Sequence, residues 1–377
     1  MKILIDGRPF VAPSAGISNF LKGSLIAWAK HSPDDTFCVA IPRHLNNTLS
    51  SDILPTNVKI IERSTPILRL LPNIVWLLVM MPILARKWHA TTYYSPLPCL
   101  PYFLPKRMLT IIVVHDVVNI EYQTTMKWTN ILANKLLFGR SIKKANVIWT
   151  NSKYTKGKVE HYFPHRRCSN IFTGCAVNRA VYRPLSISQE EAQTICKTYG
   201  IHLPFILFVG SLEPRKNLSF LLSLMPQLYK HSHVQLVVVG ASGWKNSHIK
   251  NLIMQPDFPR ESTIFCGYVP EDDLAKLYNM ALCFVSAAIN EGFGMPQLEA
   301  LLCQCPVVTA HNSAMVEVTE GVPGAFTIHG YEADHWIESI KGVISERPYV
   351  DTRMLAHYDW DSVLNHFCHY CQEMVSI

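Results

Sequence analysis

The sequence predicts an α/β protein made of two parallel-sheet domains, and three observations predict it. The chain has 377 residues, too many for one ordinary core and about right for two domains of under ~200 residues each. Short, β-branched, apolar runs recur between helix-like segments, without the alternation of a half-exposed strand, as in parallel sheets covered on both faces. The charge also changes sign midway. Residues 1–185 carry 24 Lys and Arg against 8 Asp and Glu, a net +16, whereas residues 186–377 carry 11 against 20, a net −9.

Taken in order, strands are expected at Ile3–Ile5, Thr110–Val114, Asn146–Thr150, Phe205–Val209, Val234–Val239, Thr263–Cys266, Cys283–Ser286 and Pro306–Thr309. An amphipathic stretch opens at Ile17-Ser18-Asn19-Phe20-Leu21. Arg183-Pro184 closes one block, Ser188–Gly200 reads as a charged helix, and Leu203-Pro204 precedes a fresh strand. The expected division is therefore 1–185, 186–358, and a terminal helix over 359–377 packing back across the domains. Ligands of such folds bind beyond the carboxyl ends of the strands, here in a cleft between two facing sheets.

The composition excludes several classes. With 49% hydrophobic and 17% charged residues, the chain is neither disordered nor a polar tail protein. Eleven scattered cysteines, an odd number, argue for reduced thiols in the cytoplasm, and Cys368-His369-Tyr370-Cys371 reads as two ordinary helix cysteines. Met1-Lys2-Ile3-Leu4-Ile5-Asp6 reads as a strand and lacks a signal-peptide pattern. The longest apolar run, Ile74 to Ala85, holds Pro82 and is short of the ~20 residues of a span, so a buried or interfacial helix is expected.

The most informative segment is Glu291-Gly292-Phe293-Gly294-Met295-Pro296-Gln297-Leu298-Glu299, following the strand Cys283–Ser286. Two glycines let the backbone approach a ligand closely, and Pro296 suits a first helical turn. Such a junction offers free N–H groups to an anion such as a diphosphate. Glu291 and Glu299 beside it are suited to accept hydrogen bonds from sugar or ribose hydroxyls. A second segment, Phe208-Val209-Gly210-Ser211-Leu212-Glu213-Pro214-Arg215-Lys216-Asn217, places two of the acidic half's eleven cations after a strand ending at Gly210. Adjacent guanidinium and ammonium groups there can neutralise charge building on a departing diphosphate.

The pairing of G-x-x-x-x-R-K-N with E-G-F-G-x-P-x-x-E-A resembles glycosyltransferase family 4, the retaining nucleotide-sugar transferases of the GT-B fold. Asp6-Gly7-Arg8 leading to Gly16, Val113-Val114-His115-Asp116, Thr150-Asn151-Ser152-Lys153-Tyr154-Thr155, Gly267-Tyr268-Val269-Pro270, Leu274–Tyr278 and Glu317-Val318 follow in the expected order. Two departures stand out: Gln304 where glycine is usual, and Met315-Val316 where Leu and Pro usually precede the E-V pair. The first bears on turn geometry.

The resemblance implies that Glu299 grips the ribose hydroxyls and Glu291 the donor sugar. The backbone of Gly292, Phe293, Gly294 and Met295 would hold the sugar and diphosphate, and Arg215 and Lys216 would stabilise the leaving group without a metal ion or any other cofactor. Gly210 and Gly16, the latter in the turn before the first helix, would let the ligand come close. Tyr268 and Val269 are candidates for base contact, and His115 for a hydrogen bond to the donor sugar or the acceptor. The implied reaction moves a hexose from a nucleoside diphosphate sugar, GDP-mannose or a UDP-hexose, to a hydroxyl of a lipid-linked or growing cell-surface glycan: lipopolysaccharide O-antigen, capsule or exopolysaccharide.

Rival readings are a glycoside hydrolase, which would not need Arg215-Lys216, and a non-catalytic nucleotide-sugar binder. A nicotinamide enzyme is disfavoured because the first turn lacks G-x-G-x-x-G, and a nucleic-acid binder because no recognition motif accompanies the charge. Asp359-Trp360-Asp361 reads as a helix start, with Asp361 as its cap, rather than a metal site. The basic half, with Lys127, Lys135, Arg140, Lys143, Lys144, Lys153, Lys156 and Lys158 among Trp128, Leu132, Leu136 and Phe138, suits docking on the anionic cytoplasmic face of an inner membrane as a peripheral protein.

Overall fold

The computed structural model describes residues 1–11, 15–42, 54–62, 73–121, 137–164, 170–240 and 247–375. It divides into two compact units, Met1–Ala176 together with Tyr358–Ile377, and Val177–His357.

The first unit holds a seven-stranded sheet of β1 (Lys2–Asp6), β2 (Thr36–Ile41), β3 (Val58–Glu62), β4 (Thr92–Ser95), β5 (Leu109–Val114), β6 (Val147–Thr150) and β7 (Ile171–Thr173). Their order is β3-β2-β1-β4-β5-β6-β7, every pair parallel. The second unit holds β8 (Phe205–Val209), β9 (Gln235–Val239), β10 (Thr263–Gly267), β11 (Phe284–Ser286), β12 (Val307–Ala310) and β13 (Ala325–Ile328). Their order, β10-β9-β8-β11-β12-β13, is again wholly parallel. Each sheet therefore runs outward in both directions from a central pair, β1 with β4 and β8 with β11. In doubly wound folds this switch point opens a crevice at the strands' carboxyl ends. The α/β class and the two parallel sheets expected from sequence are both present.

All eight predicted strands form, with ends displaced by at most one residue. Five more, β2, β3, β4, β7 and β13, were not expected. Thr92-Tyr93-Tyr94-Ser95 reads as polar, yet all four residues are buried. Strand identity there comes from the neighbours β1 and β5 rather than from local hydrophobicity.

Local signals set the helix ends. Ser188 caps the helix Gln189–Tyr199 in a capping box with Glu191, and Gly200 closes it at φ 70°. Gln304, where the resemblance leads one to expect glycine, adopts φ 57°, a left-handed conformation costing a non-glycine residue about 1–2 kcal/mol. The glycine preference there is thus a backbone requirement that this chain meets under strain.

The apolar run from Ile74 forms a helix in three parts, Asn73–Val75, a π-helical turn Trp76–Met80, and Met81–Lys87. Pro82 has no N–H to give to the Leu78 carbonyl, and the wider turn lies directly before it. Trp76, Leu77, Met81 and Ala85 are buried in the core of the first unit, while Ile74, Val79 and Ile83 are exposed. Among the described residues no helix is long and apolar enough to cross a membrane.

The terminal helix Trp360–Val375 belongs to the first unit. Phe367 packs among Trp28, Trp149 and Phe172 at centroid distances of 5.2, 4.3 and 5.0 Å. Gly23 leaves room for the Trp360 indole, into which a Cβ would run. Asp359, not Asp361, caps this helix: its Oδ1 accepts from the Ser362 N–H at 3.0 Å. Asp361 lies within the first turn, one residue past the start of the helix at Trp360.

Candidate functional site

In the second unit the predicted motifs follow the two central strands. The segment after β8 forms a single 3-10 turn, Pro214–Lys216, ended by Asn217 at φ 52°. The segment after β11 carries Glu291 and enters the helix Met295–Leu302 through Gly294, whose φ of 108° excludes most other residues, with Pro296 in the first turn. Topology therefore brings residues about 75 positions apart to one switch point.

Their side chains meet directly. Lys216 Nζ donates to Glu291 Oε1, and Arg215 Nη1 donates to Glu291 Oε2 at 3.2 Å and to the Asn290 carbonyl at 3.3 Å. Arg215 Nε is held by Glu213 at 2.8 Å, and the Ile289 N–H bonds the Arg215 carbonyl at 2.8 Å. Ser313 Oγ accepts from the Glu291 N–H at 3.0 Å. Lys216, Glu291 and Glu299 are each only 8% exposed. Burial opposes ionisation of Glu291, but Lys216 and Arg215 outweigh it and hold the carboxyl below its usual range. The cluster is thus a buried, charged constellation whose two cations are pre-positioned by backbone and carboxylate contacts.

Glu299 stands in a different environment. It lies on the helix Met295–Leu302, and Oε2 accepts from the Tyr278 hydroxyl at 3.0 Å. Among the described residues it forms no ion pair. Burial, with a smaller contribution from Glu271, pushes its carboxyl up to about 8, against the pull of the Tyr278 bond. Two carboxylates on one loop–helix segment thus differ in charge near neutral pH because one faces cations and the other does not.

The remaining predicted residues are placed as follows. Phe293 is buried and Met295 opens the helix. Tyr268 is 71% exposed and Val269 5%, so the adjacent side chains have opposite environments. Gly210 abuts Gly240: a Cβ on Gly240 would collide with the Gly210 carbonyl. Gly240, Ser313 and Tyr278 as a partner of Glu299 were not singled out from sequence.

In the first unit, Gly16 lies within the opening turn of the helix Ala15–His31 rather than before it, and a Cβ there would meet nothing. His115 follows β5, with Nε2 2.9 Å from the Pro96 carbonyl and Nδ1 2.8 Å from Asn151 Nδ2. A carbonyl can only accept, so the proton sits on Nε2 and Nδ1 accepts from Asn151. Burial lowers the His115 pKa, in keeping with that neutral form. Asp6, at the end of β1, is fully buried and bidentate to Arg8, at 2.9 Å to Nε and 2.6 Å to Nη2. Lys127, Lys135, Trp128, Leu132 and Leu136 lie outside the described residues. Among those described, no group of three or more His, Cys, Asp or Glu could hold a metal ion.

The family Glycosyl transferases group 1 matches residues 201–355, which hold the whole Arg215–Lys216–Glu291–Glu299 constellation. The chain is 27% identical over 229 residues to the serotype-specific mannosyltransferase WbdA of Escherichia coli, covering 58% of this chain and 27% of that protein. It is 31% identical over 182 residues to the O-antigen chain mannosyltransferase B of Escherichia coli, covering 47% and 46%. The chain thus spans less than half the length of these curated relatives. In fold it is similar to sucrose-phosphate synthase from Thermosynechococcus elongatus, at TM-score 0.70 and 15% identity over 100% of this chain and 99% of the other. It is likewise similar to Anabaena HepE in complex with UDP-glucose, at TM-score 0.71 and 17% identity over the full length of both.

The burial of Glu299 has a consequence for stability. Its carboxyl ionises near 4.5 when exposed and at about 8 when folded, so the folded state retains a proton that the unfolded state releases. Its contribution is fully present below pH ~4.5 and is lost as pH rises through ~8. In thermal melts without ligand, Glu299→Gln should therefore gain in Tm over the wild type progressively from pH 5 to pH 8, with a constant difference above that. A difference independent of pH would show that Glu299 is ionised in the fold.

Proposed function

We propose, on the premise that this chain is a GT-B-fold member of the group 1 glycosyltransferases, that it is a retaining hexosyltransferase using a nucleoside diphosphate sugar. The observation that carries this reading is the switch-point cluster, in which Arg215 and Lys216 are held beside a helix entrance by Glu291. Cleaving a nucleoside diphosphate sugar leaves charge on the diphosphate. Two fixed cations in a buried site stabilise that charge in the way a metal ion does in other transferases, so the reaction proceeds without one. Glu291, kept ionised, accepts from donor-sugar hydroxyls, while the Gly292–Met295 backbone approaches the sugar and diphosphate. Glu299 accepts from the ribose.

No carboxylate is assigned as a covalent nucleophile. The leaving diphosphate and the entering hydroxyl share one face of the sugar, and the departing oxygen takes the acceptor's proton. His115 is assigned to a hydroxyl of the donor sugar or the acceptor, a role that requires it to exchange Pro96 or Asn151 for the ligand. Mannosyl transfer from GDP-mannose to a lipid-linked or growing O-antigen, capsule or exopolysaccharide chain is the specific form we favour, because the relatives above are named as mannosyltransferases.

We place the reaction at the anionic cytoplasmic face of a membrane. Residues 63–115 contain six Lys and Arg and no Asp or Glu. Ile74, Val79 and Ile83 form an exposed stripe on the helix described above, and Tyr102 and Phe103 are exposed nearby. Arg86 ties the two together by donating to the Phe103 carbonyl at 2.7 Å, and Arg140 lies 4.0 Å over the Tyr102 ring. Apolar side chains in a segment that carries cations and no acidic residue suit an anionic bilayer surface.

Two measurements test these readings. With GDP-mannose and UDP-hexoses as donors, one donor should support transfer with retention. Arg215→Ala, Lys216→Ala and Glu291→Ala should each lower kcat/KM by about 100-fold or more; near-wild-type transfer by all three would remove the site assignment. In vesicle sedimentation, binding should grow with anionic lipid content, weaken with salt, and fall for Ile83→Asp with Phe103→Asp. Equal sedimentation of the double variant would place the contact elsewhere.

A further inference from the structure

Glu299 is the one carboxylate of the cluster that no cation steadies, yet its place is fixed. Its partner is Tyr278, wholly buried on the helix Glu271–Met280. The Tyr278 ring is wedged edge-on against Tyr182, 73° between planes and 6.1 Å between centroids, and packs against Phe284 of β11 at 6.0 Å. The hydroxyl is therefore presented to Glu299 Oε2 by a rigid aromatic group rather than by a mobile chain. A carboxylate offers two oxygens. One is engaged by Tyr278 at 3.0 Å, and Oε1 has no hydrogen bond among the described residues.

We propose that Tyr278 is a positioning residue for nucleotide binding, fixing Oε2 of Glu299 so that Oε1 is left to accept from the vicinal ribose hydroxyls. This rests on the reading that Glu299 takes the ribose. Tyr278 also acts on the charge of Glu299. Its hydrogen bond favours the ionised carboxyl, whereas burial and the negative Glu271 on the same helix disfavour it. Among the described residues, the other titratable groups coupled to Glu299 are Tyr182, whose own ionisation is raised by burial and by Glu299, and Cys303 at the end of the helix Met295–Leu302, raised in the same way. None of these supplies a positive charge, so the Tyr278 hydroxyl is the group that draws Glu299 toward the acceptor form. Removing it raises the pH at which Glu299 ionises.

The test is calorimetric titration of the whole chain with UDP or GDP, whichever binds, and with the 2′,3′-dideoxy form of the same nucleotide, from pH 6 to pH 9.5. The wild type should prefer the ribonucleotide, the more so as pH rises. Tyr278→Phe, which keeps the ring, should weaken ribonucleotide binding about tenfold, leave the dideoxynucleotide unchanged, and move the midpoint of the pH profile upward. Equal weakening of both nucleotides, or an unmoved midpoint, would overturn the positioning role. Glu299→Gln separates the two levels. If it loses the ribose preference while Tyr278→Phe retains it, the ribose reading stands and the proposal for Tyr278 is refuted. If it retains the preference, the ribose reading itself is wrong and the proposal is refuted with it.

Discussion

A buried carboxylate held between two cations is the constraint on which the second unit's chemistry depends. Glu291 can remain ionised at 8% exposure because Lys216 and Arg215 both bond it. Isolated burial of either Lys216 or Glu291 would cost several kcal/mol, so each steadies the other, with the half-buried Arg215 adding a second cation. The doubly wound order makes the meeting possible. β8 and β11 are neighbours, and the turns leaving their carboxyl ends meet at the switch point. Ser313, entering from beyond β12, holds the Glu291 backbone, and Gly240 lets the turns after β8 and β9 touch. The pair cannot be read as two cations waiting for an anion. It is a nearly neutral cluster, with Glu213 and Glu291 both bonding the cations, and on the proposed reading an incoming diphosphate would compete with Glu291 for the same donors.

Glu299 shows the opposite solution only eight residues later. Its helix places it among aromatic rings with a single hydroxyl partner, and burial is answered by protonation rather than by a counter-ion. The difference is one of surroundings, since the two side chains are chemically the same.

Much of this was legible in the sequence where chemistry is local. Apolar β-branched runs marked eight strands, and Pro296 with the glycines of the Glu291 loop marked a strand–turn–helix junction. The charged run Ser188–Gly200 marked a helix, which forms over Gln189–Tyr199. What was not legible depends on distant partners. Thr92–Ser95 is a strand because β1 and β5 flank it. Tyr278 belonged to a recognisable segment, but its hold on Glu299 exists only because two helices pack together. That Asp359 rather than Asp361 caps the last helix turns on a helix start that local pattern fixes only to within a residue or two. The charge asymmetry likewise marked the two halves, but the exposed stripe of Ile74, Val79 and Ile83 required knowing which face of the helix is buried.

The central claim is that Arg215 and Lys216 receive the diphosphate. The most direct measurement is the ratio of monophosphate to diphosphate dissociation constants, GMP against GDP or UMP against UDP, in the wild type, in Arg215→Ala, in Lys216→Ala and in the double variant. The account predicts a large ratio in the wild type that falls in each single variant, where one cation remains, and collapses toward one when both are replaced, because the second phosphate then has no cation to meet. A ratio that survives in the double variant would mean that the diphosphate is held elsewhere, and would contradict it.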